Sequence, residues 1–148
     1  MKKVIIKEGI KFQIKGIELL DLNIIYPKTP LIGEVIFKFN INVEIKIVNE
    51  KSLIMAIVSV DIIDNKNADK YGFVKVNCIF GIENFMSFVD EKTKKADFPK
   101  QLITSLNSIS ISTTRGIMFD QFRGTFLHGA ILPIIDPTFL EKNKKEKP

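Results

Sequence analysis

A run of strict alternation between apolar and polar residues constrains the fold of this chain more than any other feature. Between Val35 and Val48 an apolar residue stands at every second position, with lysine, asparagine or glutamate between most of them. The alternating apolar residues are Phe37, Phe39, Ile41, Val43, Ile45 and Ile47. Because successive side chains of a strand point to opposite faces, the pattern predicts a strand with one face in the core and one in water.

Two more strands are predicted after this one, each preceded by a short polar break. One ends at Ile63, and the other runs from Tyr71 to about Ile82. Consecutive strands joined by short polar loops predict an antiparallel meander. Their core-facing residues are predicted to be Ile54, Ala56, Val58, Val60 and Ile62 in the earlier strand and Val74, Val76, Cys78, Phe80 and Ile82 in the later one.

A further strand is predicted near the start of the chain, from Ile10 to Tyr26. Its apolar phase slips by one residue at Gly16, which predicts a β-bulge there. Pro27 and Pro30 then exclude a ladder, because proline has no N–H to donate. This strand is therefore expected to join the other three through a proline-containing loop.

A long helix is predicted after a charged linker at residues 90–95. Pro99 is tolerated in the first turn, and an apolar stripe follows at spacings of four, three, four and four residues. The stripe consists of Leu102, Leu106, Ile109, Thr113 and Ile117. Residues 108–113 also alternate with period two and include β-branched residues, so a strand stays open there as an alternative.

Two elements are predicted to need a partner. The strand that ends at Ile63 is apolar on both faces in its first half, and the helix carries small serine and glycine residues. A strand that is apolar on both faces requires a cover on each, from its own chain or from another subunit. We therefore expect an oligomer, with predicted interface residues Leu53, Met55, Ile57, Leu106, Ile109 and Thr113.

The composition predicts one globular domain. The chain has 148 residues, of which 45% are hydrophobic, and no run approaches the roughly 18 consecutive apolar residues of a membrane-spanning helix. A single cysteine is consistent with a reducing cytoplasm. Four lysines in the last seven residues contribute to the net charge of +5. We predict a domain over residues 1–141 and a basic, disordered tail over 142–148, and no nucleic-acid surface.

No motif predicts catalysis, a metal or a cofactor. His128, Ser112 and Asp136 are the residue types of a hydrolase triad, but no Gly-x-Ser-x-Gly turn presents the serine. Cys78 falls on the apolar face of a strand, where cysteines are inert. One histidine and one cysteine also exclude a zinc site built from several such ligands. We predict a protein that binds rather than catalyses.

Two irregular segments carry apolar side chains: the loop after Tyr26, and the stretch from Ala130 to Pro137 that follows the helix. Pro133 and Pro137 forbid an ordinary helix or central strand in the second segment, so its apolar side chains must pack or face a ligand. The predicted ligand-binding residues are Tyr26, Leu31, Phe126, Leu127, Ile131, Leu132 and Ile134. Changing Leu132 and Ile134 together to serine is expected to abolish ligand binding and preserve the fold.

The order of these elements resembles the SecB-type export chaperones over about residues 10–141. The similar pieces match the family's opening strand, crossover loop, fourth strand, helix-to-helix connector and last helix. They are Phe12-Gln13-Ile14 with Ile17 and Asp21, Tyr26-Pro27-Lys28-Thr29-Pro30, Ile79-Phe80-Gly81-Ile82, Arg123-Gly124-Thr125-Phe126, Ile131-Leu132-Pro133, Asp136 and Phe139. The resemblance implies an α+β fold, in which a four-stranded antiparallel sheet is followed by a C-terminal helix and a short terminal helix.

The chain departs from the family pattern in three places. Leu127 stands where the family has a proline, and the final helix is cut short after Glu141. Family members use carboxylates on the exposed sheet face to dock the SecA translocase motor. Asp21 matches one such position, whereas Ile25 and Phe73 occupy neighbouring ones. SecA therefore stays open as a partner, and a divergent branch with a dedicated client is an equal alternative.

The resemblance implies a holdase that works without nucleotide or metal, as a dimer of dimers whose apolar grooves hold unfolded or pre-export polypeptides. A chaperone for one client, such as a toxin–antitoxin pair, is an alternative within the same class. An oligomeric small-ligand or thioesterase module of hot-dog type is another. Folds of that type place their long helix before most strands, whereas the predicted helix here follows them.

Overall fold

The computed structural model describes residues 10–31 and 33–136. Four strands, β1 to β4, precede one long helix, α1, and short 3-10 turns follow β2 and β4. The bounds are β1 Phe12–Ile24, β2 Phe37–Val48, β3 Leu53–Asp64, β4 Lys70–Ile82 and α1 Lys100–Gln121. The predicted α+β fold is confirmed. The short terminal helix, the domain end at residue 141 and the basic tail lie outside the described residues.

All four strands form one antiparallel sheet in the order β1-β4-β3-β2. The strands β2, β3 and β4 make the predicted meander. The chain between β1 and β2, described over residues 25–31 and 33–36, leads across the end of the sheet so that β1 pairs with β4, which is a Greek-key connection. We call residues 25–36 the crossover segment. Because Pro27 and Pro30 lie in it, this segment cannot extend either strand.

The predicted bulge in β1 is confirmed. The register with β4 shifts between Ile14 and Gly16, which leaves Lys15 as the extra residue, and a second shift lies between Leu19 and Asp21. Each extra residue changes which side of the strand the next side chain faces. Ile17 consequently pairs with Cys78, on the side of the sheet that α1 covers.

The core lies between α1 and the central strands β3 and β4. The inward residues of both strands have almost no exposed surface, as the two alternating patterns predict. Burial raises the pKa of the Cys78 thiol, which lies beside Ser110 and Thr113 of α1. We call the sheet face opposite α1 the open face. It carries the other side of β3, including Leu53, Met55 and Ile57.

The buried face of α1 differs from the predicted stripe. The prediction is right for Leu102 and Leu106, but the buried residues further along are displaced by one position or more. The complete buried set is Leu102, Leu106, Asn107, Ser110, Ile111, Thr114 and Met118. The Ser110 hydroxyl donates to the Leu106 carbonyl at 2.7 Å, and the Thr114 hydroxyl to the Ser110 carbonyl at 2.8 Å. Because these hydroxyls are satisfied inside the helix, they can face the core.

Candidate functional site

A chain of tight turns follows α1 and brings Phe126 to one end of the sheet. The Thr125 hydroxyl donates to the Phe122 carbonyl at 2.7 Å and accepts from the Leu127 N–H at 3.1 Å. Gly124 has a φ of +79°, a left-handed conformation that favours glycine. Phe122 and Leu127 are both fully buried on either side of this turn. The turn is therefore anchored in the core at both ends, and Phe126 lies between the anchors.

Leu127 fits into a gap that exists only because residue 72 is glycine. A Cβ atom on Gly72 would lie 2.9 Å from Leu127 Cδ1, 3.2 Å from Ile62 Cδ1 and 3.3 Å from the Asn23 carbonyl. Those separations are shorter than van der Waals contact allows. Gly72 thus permits the segment after α1 to pack closely on the sheet.

Aromatic rings connect the sheet to this turn and to the crossover segment. The ring centroids of Phe37 and Tyr71 lie 6.4 Å apart, those of Tyr71 and Phe126 5.6 Å, and those of Phe126 and Tyr26 5.5 Å. The first two pairs meet edge to face, which is a favourable geometry for aromatic rings. The row ends at Tyr26, which is largely exposed.

The inner end of the aromatic row is held by a buried hydrogen bond. The Tyr71 hydroxyl donates to Asp64 Oδ2 at 2.9 Å, and the Lys66 backbone N–H donates to Asp64 Oδ1 at 2.7 Å. The Lys66 N–H first, and the Tyr71 hydroxyl second, lower the pKa of Asp64. Burial first, and Asp64 second, raise the pKa of Tyr71. At neutral pH Asp64 is therefore ionised, Tyr71 is protonated, and the pair fixes the ring against Phe126.

An apolar cavity of about 440 Å³ lies between the crossover segment and the turn after α1. Its lining residues are Tyr26, Pro27, Lys28, Thr29, Pro30, Leu31 and Phe126. We call it the loop groove. A more polar cavity of about 610 Å³ adjoins it, between the crossover segment and the turn that joins β3 to β4. Both proline rings of the crossover segment, Pro27 and Pro30, line the loop groove.

The stretch after the turns that follow α1, Ala130–Asp136, is irregular, and we call it the connector. Ala130 and Leu132 are buried, whereas Ile131 is 55% exposed and Ile134 is 94% exposed. The connector therefore inserts Leu132 into the core and presents two isoleucines to solvent.

The structure brings together part of the predicted ligand-binding set. Tyr26, Leu31 and Phe126 line the loop groove together. Ile131 and Ile134 are exposed on the connector, while Leu127 and Leu132 are buried in the core. The double serine change at Leu132 and Ile134 is therefore no longer expected to preserve the fold, because one of the two side chains is in the core.

The six predicted interface residues lie on opposite sides of the molecule. Leu53, Met55 and Ile57 belong to the open face, and Ile57 is almost fully covered there by its neighbours. Leu106 is fully buried under α1, and Ile109 and Thr113 are half-buried on the helix. The structure does not bring the six into one surface, and their part in an interface stays a prediction.

Exposed apolar residues on β1 are absent from the predicted sets. Because β1 is an edge strand, its outer backbone groups have no strand beside them in the described chain. Four large apolar side chains of this strand are between 41% and 49% exposed: Ile14, Ile17, Leu19 and Leu20. A signal for them exists in the sequence, since the change of apolar phase at Gly16 leaves apolar residues on both faces of this strand.

The described residues contain no group of three or more histidine, cysteine, aspartate or glutamate side chains that could hold a metal ion. The His128 ring contacts the Phe119 ring in a tilted arrangement, with centroids 5.3 Å apart, and the Ser112 hydroxyl oxygen accepts from Arg115 Nη1 at 3.4 Å. Among the described helices, none is long and apolar enough to cross a membrane.

The fold places the chain among proteins of SecB-like architecture. No protein-family model and no curated protein matches its sequence. Its structure is similar to that of the Mycobacterium tuberculosis SecB-like chaperone Rv1957, solved in complex with a ChAD peptide from the HigA1 antitoxin Rv1956. The TM-score is 0.60 at 14% sequence identity, over 84% of this chain and 89% of that one. This likeness confirms the predicted SecB-like fold.

Proposed function

We propose that the protein is an ATP-independent holdase that binds unfolded or partly folded polypeptides in the loop groove and along the connector. The observation that carries the proposal is the convergence of Tyr26, Leu31 and Phe126 on one open apolar cavity. These residues come from two irregular segments that the fold joins at one end of the sheet. The likeness to a chaperone that was solved with a peptide supports the same function.

The chemistry of this surface suits extended apolar segments of a client. The loop groove offers aromatic rings and proline rings, and the connector adds Ile131 and Ile134 at its surface. Burial of apolar area contributes roughly 25 cal/mol per Å² and requires no fixed geometry, so different apolar sequences can bind. The proposal includes no catalytic step, no metal and no nucleotide, and it places the protein in the cytoplasm.

Within this class we favour a dedicated client over general export through SecA. On the open face, the Phe73 ring lies 4.8 Å from Lys70 Nζ, and Lys70 forms an ion pair with Asp61 at 2.9 Å. A lysine that covers an aromatic ring is a poor substitute for the carboxylates that the family resemblance associates with SecA docking. The antitoxin peptide bound to the Mycobacterium tuberculosis protein favours the same alternative.

We also propose that the chain forms a homo-oligomer, with β1 as one contact. An exposed edge strand with apolar side chains on it is a template for pairing with another chain. The open face carries a second feature that another subunit could complete, an unsatisfied polar side chain. Asn77 is buried there opposite Ile57, and its Oδ1 atom has no hydrogen-bond partner among the described residues.

A suppression assay tests the proposed function. A chemically unfolded, slow-folding protein is diluted without ATP, and its aggregation is followed by light scattering with and without this protein. We expect suppression at near-stoichiometric amounts of wild type, and its loss in the double variant Tyr26→Ala and Ile134→Ser. The matched control is Met86→Ala, which removes an exposed apolar side chain outside the groove.

Two outcomes separate the alternatives. If folded wild type leaves aggregation unchanged but binds one antitoxin-like peptide tightly, the client is dedicated. If neither the unfolded protein nor any apolar peptide binds, the holdase proposal is wrong.

A further inference from the structure

One side chain of α1 binds two backbone carbonyl groups of the connector. Residues 131–136 pair with no strand among the described residues, so a β-ladder does not order them. Arg115 instead donates from Nε to the Leu132 carbonyl at 2.6 Å and from Nη2 to the Pro133 carbonyl at 2.8 Å. The guanidinium group is a planar fork of donors, so it can hold two consecutive carbonyl groups in one geometry.

The two bonds act at the point where the connector changes direction. Leu132 is 1% exposed and points into the core, while Ile131 and Ile134 on either side point outward. The proline ring at position 133 restricts the backbone of Leu132 to extended conformations. With the carbonyls of both residues tied to α1, the backbone has little freedom to turn the isoleucines inward.

We propose that Arg115 is the positioning residue of the client-binding surface. It holds the connector so that Ile131 and Ile134 form an exposed apolar surface that is already ordered in the protein without a client. The inference rests on the proposed holdase function and adds to it how the binding surface is ordered. A surface that is ordered in advance binds with less loss of conformational freedom. Arg115 thus promotes client binding through the connector and not by direct contact.

Three variants distinguish this role from the alternatives. Arg115→Ala removes both hydrogen bonds to the connector, together with the longer one to Ser112, and keeps a good helix former in α1. Arg115→Lys retains the positive charge but replaces the planar fork with a single ammonium group. The matched control is Arg123→Ala, which removes an exposed arginine from the same region, where it pairs only weakly with Asp120 at 3.5 Å.

The affinity of each variant is measured with a fluorescently labelled, permanently unfolded polypeptide, at low and at high salt, together with association and dissociation rates. If one connector in ten keeps the binding geometry, the dissociation constant rises about tenfold. We expect this loss in Arg115→Ala and a similar loss in Arg115→Lys, at both salt concentrations. The loss is expected in the association rate, with an unchanged dissociation rate, and Arg123→Ala should behave as wild type. Circular dichroism and molecular mass verify that each variant is folded.

Several results would overturn the positioning role. Wild-type affinity in Arg115→Lys, or a loss that disappears at high salt, would mean that the charge contacts the client directly. Wild-type affinity in Arg115→Ala would mean that other contacts order the connector, while the holdase function would stand. An absence of binding by wild type would instead remove the proposed function, and the positioning role with it.

Discussion

The ring of Tyr26 lies 5.5 Å from the ring of Phe126, with the two planes tilted by 49°. The first residue belongs to the crossover segment and the second to the turn after α1. Neither segment is part of the sheet or the helix, yet both are anchored to β4. The ring of Phe126 packs on the ring of Tyr71. The crossover segment is held by the Ile25 N–H, which donates to the Tyr71 carbonyl at 2.9 Å. The loop groove therefore exists only while both segments are docked on the same end of the sheet.

Tyr26→Ala should weaken client binding while it leaves stability nearly unchanged. The side chain is 66% exposed and forms one wall of the loop groove. Loss of an aromatic contact costs about 1 kcal/mol, which is about a fivefold rise in the dissociation constant. Fluorescence anisotropy measures the affinity, and urea unfolding verifies the stability. An unchanged affinity would show that the loop groove does not bind the client.

Gly72→Ala and Gly116→Ala should change stability in opposite directions. The added methyl group at residue 72 would meet Leu127, Ile62 and the Asn23 carbonyl, so we expect a destabilisation of about 1–3 kcal/mol. At Gly116 the new Cβ meets nothing within 4 Å on an exposed part of α1, so we expect a gain of about 0.5–1 kcal/mol. Urea unfolding of both variants checks the pair. Equal stability of the two would contradict the close packing of Leu127.

Ile134→Ser and Leu132→Ser should separate binding from folding. Ile134 is almost fully exposed, so its change should weaken client binding at unchanged stability. Leu132 is in the core, and its loss should cost about 3 kcal/mol or more of unfolding free energy. Thermal unfolding and client affinity are measured for each. A large loss of stability in Ile134→Ser would show that the connector packs differently.

Ile17→Lys should reduce the oligomer to a smaller species. Ile17 is 49% exposed on the edge strand β1, so the monomer tolerates a lysine there, whereas a paired edge would bury the charge. The matched control is Ile47→Lys, because Ile47 is 40% exposed on β2 at the opposite edge. Light scattering gives the masses. A monomeric wild type, or an unchanged mass for Ile17→Lys, would exclude β1 as a contact.

The Asp64–Tyr71 pair should make stability depend on pH at both extremes. The pKa of Asp64 is lowered in the folded state, so its contribution is present above the unfolded pKa, near 4, and is lost as pH falls through the lower folded value. The pKa of Tyr71 is raised, so its contribution is present below the unfolded pKa, near 10, and is lost as pH rises through the higher folded value. In Tyr71→Phe the alkaline loss should disappear and the acid loss should shrink. Urea unfolding between acid and alkaline pH tests this, and identical profiles for the two proteins would contradict it.

The strands, the meander and the existence of the helix follow from the sequence because each is a local periodic pattern. Alternation with period two predicts the strand β2, whichever element covers it, and the one-residue shift of the apolar pattern at Gly16 predicts the bulge. The stripe on α1 was correct only over Leu102 and Leu106. Further along, Ser110 and Thr114 are buried instead of Ile109 and Thr113, and their hydroxyls are satisfied by carbonyl groups within the helix.

Hydropathy alone did not distinguish the buried apolar residues of the irregular segments from the exposed ones. Only the tertiary structure decided which residues are buried. Leu127 and Leu132 are core residues, whereas Ile131 and Ile134 face water, and no periodicity in the connector distinguishes them. The distinction depends on the gap at Gly72 and on the two carbonyls that Arg115 holds from α1. Contacts between residues so distant along the chain leave no local pattern. The sequence therefore determined which segments were available for binding, and the packing of the helix and turn on the sheet determined which of their side chains remain exposed.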